Sequence, residues 1–132
     1  MERPPFENNG FYHVYNRGTE KRKIFIDDAD RVRFLHHLYV CNDTMPIDKA
    51  DAALLQSQIG GETSDFTTVR RRDRLVDIVC YVLMPTHFHL LLRQKVAGGI
   101  SKFLQKSSTG YTMYFNRRKK RTGALFQGVF KS

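Results

Sequence analysis

Apolar and polar residues alternate along residues 11–16 (FYHVYN), and Arg17-Gly18 ends the alternation, which predicts a strand. After a basic loop at residues 19–26, Asp27 or Asp28 offers an N-cap, and the acids Asp27, Asp28 and Asp30 suit the start of a helix. That helix is expected to run to about Val40, burying Val32, Leu35, Leu38 and Tyr39 and leaving Arg31 and Arg33 outside. His36 and His37, on its flank, are expected to be solvated or to act as caps, with contact to nucleic acid as the alternative. Two more apolar runs, residues 75–83 and 88–94, flank Met84-Pro85-Thr86 and predict a tight strand-turn-strand. Ala97-Gly98-Gly99 then breaks the chain before a helix that starts at Ile100. On its apolar period fall Ile100, Phe103, Leu104, Tyr111, Tyr114 and Phe115. Gly110 is a weak point within it, costing about 1 kcal/mol relative to Ala. A short apolar segment at residues 124–130 reads as a last strand. The order strand-helix-strand-strand-helix-strand predicts an α+β fold.

Residues 42–72 interrupt that order. Through Asp65 they carry five acids and one base, with a helix-like run at residues 48–58, then Gly60-Gly61 and a Thr/Ser-rich stretch before Arg70-Arg71-Arg72. This is the composition of an insertion between helix and strand. A chain of 132 residues suits one domain and can bury a core without covalent staples. Cys41 and Cys80 stand alone with no CxxC spacing, which argues against a zinc ribbon or a disulfide framework and fits a reducing cytoplasm. No apolar run approaches the roughly 20 residues that span a bilayer. The opening MERPPFENNG lacks the basic-then-apolar layout of a signal peptide. A soluble cytoplasmic protein with no membrane partner is expected.

Charge narrows the function. Residues 1–92 hold 12 Lys/Arg and all 13 Asp/Glu, whereas residues 93–132 hold 10 Lys/Arg and no acid, so the whole net charge of +9 comes from the last part. Such asymmetry is the footprint of a nucleic-acid binder, because neutralising phosphates releases counterions. Phe103, Tyr111, Tyr114, Phe115, Phe126 and Phe130 lie among these bases, which favours a folded basic face over a solvated tail. Candidate DNA contacts are Arg17 after the first strand, Lys102 and Lys106 on the last helix, and the run Asn116, Arg117, Arg118, Lys119, Lys120 and Arg121.

His87-Phe88-His89 opens the strand after the turn. Side chains alternate along a strand, so both imidazoles project to one side and could share a metal ion, leaving positions open for water or substrate oxygens. His13 is a further candidate, as an extra ligand or as a base near phosphate, beside the structural role usual for a lone strand histidine.

Three blocks, YHVYNRG, YVLMPTHFHLLL and YTMYFNRRKKRTGALFQGVFKS, together resemble the REP-associated tyrosine transposases, a branch of the single-tyrosine HUH transposases. The likeness spans about residues 10–132 apart from the insertion. It implies a ferredoxin-like, RNA-recognition-like antiparallel sheet with helices packed on one face. It also implies cleavage and joining of single-stranded or hairpin DNA through a 5′-phosphotyrosine link. By this resemblance His87 and His89 help to bind a divalent metal, Mg or Mn, that polarises the scissile phosphate. Tyr12-His13, Asn116-Arg117-Arg118 and Phe126-Gln127 fall within family motifs. The chain departs from the family at Val129, where Arg is frequent, and at Thr86, where Asn or Ser is. In related enzymes the nucleophile lies on a helix after the block ending Phe-Lys-Ser, with a polar residue one helical turn on that completes the metal site. The expected nucleophile helix is therefore missing from these 132 residues, as in a truncated or decayed transposase. Within the chain Tyr111 and Tyr114 are the candidates, although their apolar period argues for the core. The alternative is a binding module without chemistry, holding nucleic acid by the same sheet, aromatic stacking and basic face. A homodimer is left open.

Overall fold

The computed structural model describes residues 4–46 and 73–132. Strand β1 (Phe11–Arg17) is followed by helix α1 (Asp28–Val40), strands β2 (Val76–Met84) and β3 (His87–Gln94), and helix α2 (Gly99–Lys119). The strands form an antiparallel sheet in the order β1-β3-β2, so the histidine strand is central. This is an α+β architecture.

Alternation along β3 sets the two faces of the sheet. Phe88, Leu90, Leu92 and Gln94 are buried, while His87, His89, Leu91 and Arg93 between them are partly exposed. Register then assigns the neighbours. Val14 and Asn16 pair with Leu90 and Phe88 on the buried face, and Tyr15 and Arg17 pair with His89 and His87 on the open one. Both helices pack on the buried face. Phe34 of α1 lies 5.1 Å from the ring of Phe88 and 5.1 Å from that of Tyr111 on α2, and all three belong to one core cluster with Leu90, Leu92, Ile100 and Phe103. A bulge between Ile78 and Cys80 interrupts the pairing of β2 with β3.

Helix α1 starts at Asp27, whose side chain accepts from Asp30 N at 3.1 Å. Its buried residues are Asp30, Phe34, His37, Leu38 and Val40, one stripe at helical spacing. Val32, expected inside, is 43% exposed. It stands two residues from both Asp30 and Phe34, which is the opposite side of a helix turning about 100° per residue. His37, expected in solvent or at a cap, is only 3% exposed. Its Nε2 accepts from Arg33 Nε at 3.2 Å, and its Nδ1 faces Gly110 of α2. A Cβ at Gly110 would lie 2.8 Å from that nitrogen. The weak point in α2 is therefore where the His37 ring sits against the helix, and glycine leaves room for it.

The carboxylate of Asp30 is fully buried and joins the two helices. It accepts from Ile26 N at 2.9 Å, from Tyr114 Oη at 2.8 Å and from Arg118 Nη1 at 2.6 Å, with Lys119 Nζ at 3.4 Å. Arg118 also bridges both oxygens of Asp27, at 2.9 and 2.7 Å.

Residues 124–130 do not form the expected strand. They approach the outer edge of β1 through two isolated bridges, Gly18 with Phe126 and Tyr15 with Lys131. Two residues of β1, Asn16 and Arg17, thus face four of the C-terminal segment, 127–130, and the excess bulges outward. Gly128, at φ +70, supplies the left-handed turn that the bulge needs. Asn16 Nδ2 holds it by donating to Gly128 O at 3.1 Å.

Of the proposed insertion, the run at residues 48–58, Gly60-Gly61 and Arg70-Arg71-Arg72 lie outside the described residues. Its two roots are described and meet. Asn42 Oδ1 accepts from Leu75 N and Val76 N, both at 3.0 Å, and Thr44 N donates to Asp73 O at 2.9 Å. No helix among the described residues is long and apolar enough to cross a membrane.

Candidate functional site

The face of the sheet opposite the helices carries the histidine pair. His87 and His89 sit 4.9 Å apart by ring centres, with their planes at 85°. Together with Tyr15, Asn16, Arg17, Gln127 and Lys131 they line a cleft of about 450 Å³. β3 supplies the imidazoles, β1 supplies Tyr15 and Arg17 through its register, and the C-terminal segment supplies Gln127 and, at its bridge to Tyr15, Lys131. Arg17 Nε donates to Gln127 Oε1 at 2.8 Å, which holds the guanidinium over the bulge. Cationic side chains from two segments thus border one wall of the histidine cleft, with no carboxylate among its lining residues.

Each imidazole has its Nδ1 engaged. Thr86 Oγ1 is 3.1 Å from His87 Nδ1, and His13 Nε2 is 2.8 Å from His89 Nδ1. Burial, and then the proximity of His87 and of His13, hold the pKa of His89 below the usual imidazole value. A neutral ring with Nδ1 occupied by a neighbour presents Nε2 as its remaining nitrogen, which is the donor chemistry a divalent metal takes from histidine. The pair fits two positions of such an ion. Among the described residues no group of three or more His, Cys, Asp or Glu side chains is arranged to hold a metal.

The sequence-derived candidates separate between the two sides of the sheet. Arg17 joins His87 and His89 in the cleft. Tyr111 lies in the core at 0% exposure, its hydroxyl donating to Ile24 O, and burial raises its pKa. Tyr114 is half-buried and donates to Asp30; burial and that hydrogen bond push its pKa up to about 12. Both phenols lie on the helix side, across the sheet from the histidines.

The basic residues of the last part do not make one face. Arg118 and Lys119 are neutralised by the acids at the start of α1. Lys102 and Lys106 donate to the carbonyls of Thr44 and of Asp43 and Met45, fastening the loop after α1. Arg121 donates to Asn116 Oδ1 and to Ala124 O, while Asn116 Nδ2 donates to Gly123 O, so these two shape the turn after α2. Arg117 and Lys120 are exposed at the end of α2. The asymmetry of charge along the chain is partly cancelled in space, because the acidic start of α1 meets the basic end of α2.

Two cleft residues carry no local signature in the sequence. Tyr15 could have been placed beside the histidines from the alternation of FYHVYNR once β1 was paired with β3. Lys131 depends on its bridge to Tyr15, which no pattern of apolar residues announces.

No protein-family model, characterised protein or solved structure matches the chain.

Proposed function

We propose that this chain has the ferredoxin-like arrangement of an HUH-class DNA transposase and that it binds single-stranded or hairpin DNA across the open face of its sheet. The observation that carries the reading is the histidine pair opening onto a cleft bordered by Arg17 and Lys131 on the helix-free face. A phosphodiester entering this cleft meets both cations and the two imidazoles. Arg17, held by Gln127, presents a planar donor edge to phosphate oxygens, and Lys131 contributes a mobile charge. His87 and His89 would hold a divalent metal, Mg or Mn, which would supply the charge that polarises the phosphorus-oxygen bonds. Tyr15 offers a ring for base stacking beside the phosphate position. The chemistry that follows in this class is attack by a tyrosine on the phosphate, leaving a 5′-phosphotyrosine and a free 3′-OH.

Tyr111 and Tyr114 take no part in that attack. An attacking oxygen must come within about 3 Å of the reacting atom, and both hydroxyls are committed to partners on the helix side. This commitment favours a second reading for the described residues, a module that binds nucleic acid without cleaving it.

Labelled hairpin DNA titrated with protein over a range of salt tests the binding surface. Arg17→Gln with Lys131→Gln should weaken binding and reduce the salt slope by about 1 to 2, at about 0.7 to 0.9 per phosphate contact. Arg117→Gln with Lys120→Gln, at the end of α2, should leave both nearly unchanged. The converse result would move the nucleic acid to the helix side and overturn the proposal. A denaturing gel after incubation with Mn²⁺ separates the two readings, since a covalent adduct survives denaturation. An adduct abolished by Tyr111→Phe or Tyr114→Phe would overturn the exclusion of these residues.

A further inference from the structure

We infer that His13 is a positioning residue: its Nε2 accepts the Nδ1 proton of His89 and so turns the bare Nε2 of His89 toward the cleft. The inference deepens the proposed function, resting on the reading of His87 and His89 as metal ligands. It begins with register. Tyr15 stands directly opposite His89, and His13 stands opposite Leu91, which makes His13 the diagonal neighbour of His89 on the open face. The two rings meet nitrogen to nitrogen at 2.8 Å, with centres 5.0 Å apart and planes within 13°. That separation is what two five-membered rings show when they touch edge to edge, so the bond lies in the ring planes, where the lone pair and the N–H lie. Tyr15 flanks both rings, at 5.0 Å from His13 and 5.6 Å from His89, and limits their rotation.

Two neutral imidazoles in such a bond must divide the roles, one donating and one accepting. If His89 Nδ1 donates, Nε2 of His89 carries a lone pair and can ligate. If His13 donates instead, Nε2 of His89 carries the proton and cannot. A metal ligand therefore requires His13 to be the acceptor, and Thr86 Oγ1 stands in the equivalent place at Nδ1 of His87, 3.1 Å away. Both ligands have an outer partner on the same ring atom, from residues whose backbone places them there. His13 is exposed and its substitution disturbs no core contact.

The test uses the metal-free protein first. In histidine-labelled chain above the imidazole titration range, long-range proton-nitrogen correlation spectra report which nitrogen of His89 bears hydrogen. The expected result is a protonated Nδ1 and a bare Nε2. His13→Phe, which keeps a ring and removes the acceptor, should move His89 toward the Nε2-protonated form. His13→Gln, whose amide oxygen can accept, should restore the original state. Mn²⁺ affinity should follow, falling about 10- to 100-fold in His13→Phe, the usual cost of losing an outer partner, and recovering in His13→Gln. A protonated Nε2 in the wild type, or a His89 tautomer unchanged in His13→Phe, would overturn the inference. Failure of the wild type to bind Mn²⁺ at all would instead sink the metal reading, because the tautomer is measured without metal.

Discussion

Replacing Asp30 by Asn keeps the volume of the side chain and removes its charge, so no cavity obscures the result. The native carboxylate is fully buried and receives hydrogen from Ile26 N, Tyr114 Oη and Arg118 Nη1, with Lys119 close by. Asn offers one oxygen and one NH₂ in their place. It cannot satisfy donors on both sides, and it sets a donor against either the Ile26 amide or the Arg118 guanidinium. Arg118 keeps Asp27 and some solvent, whereas the Ile26 and Tyr114 donors lose their charged acceptor. Losing a charged acceptor in a buried network costs about 3 kcal/mol, the low end of the range for breaking a buried ion pair. Urea unfolding of Asp30→Asn, compared with wild type at unchanged slope, measures it. A double-mutant cycle with Arg118→Gln should show a coupling of about 1 kcal/mol or more. A loss below about 1 kcal/mol, the range of an ordinary surface change, would refute the reasoning and return Arg118 to the pool of free bases.

His37 makes stability depend on pH. Burial first, then Arg33 and His36, lower its pKa from 6.5 to about 4, so the unfolded chain binds more protons than the folded one between those values. Stability is full above 6.5 and is lost as pH falls through that window, by about 3 kcal/mol in all at about 1.4 kcal/mol per unit. Unfolding curves across the window should show that slope in the wild type and a flatter one in His37→Phe; equal slopes would contradict the burial of a neutral ring. Because Asn42 and Thr44 tie the chain to residues 73–76, replacing residues 47–72 by a short turn should preserve the fold and the binding of hairpin DNA. Loss of cooperative unfolding in that deletion would show that the roots do not close the domain by themselves.

The elements were legible in the sequence because their apolar periods are strong. His87-Phe88-His89 stood out by spacing alone, and the alternation around it correctly put both histidines on one side of a strand. What alternation does not state is the partner. That Tyr15 lies opposite His89, with His13 on the diagonal, follows from the register of β1 on β3, which is a matter of tertiary pairing. The end of the chain was misread for a similar reason. Its apolar residues suit a strand, yet Gly128 and the hydrogen bond from Asn16 turn the middle outward and leave only two bridges. Val32 and His37 show the limit of residue type as a guide to burial. The stripe of α1 is set by Asp30 and Phe34, so a polar His37 on that stripe is buried and an apolar Val32 off it is exposed. A count of charge along the chain does not foresee pairing in space, where Arg118 and Lys119 meet Asp27 and Asp30.

Divalent metal at the histidine pair is the claim on which the proposed chemistry rests, and Mn²⁺ titration followed by electron paramagnetic resonance measures it directly. The wild type should bind weakly, since two imidazoles make an incomplete site, and more tightly when single-stranded DNA supplies phosphate oxygens. His87→Ala with His89→Ala should abolish both the binding and the enhancement by DNA. Equal Mn²⁺ affinity in the wild type and the double variant would contradict the account.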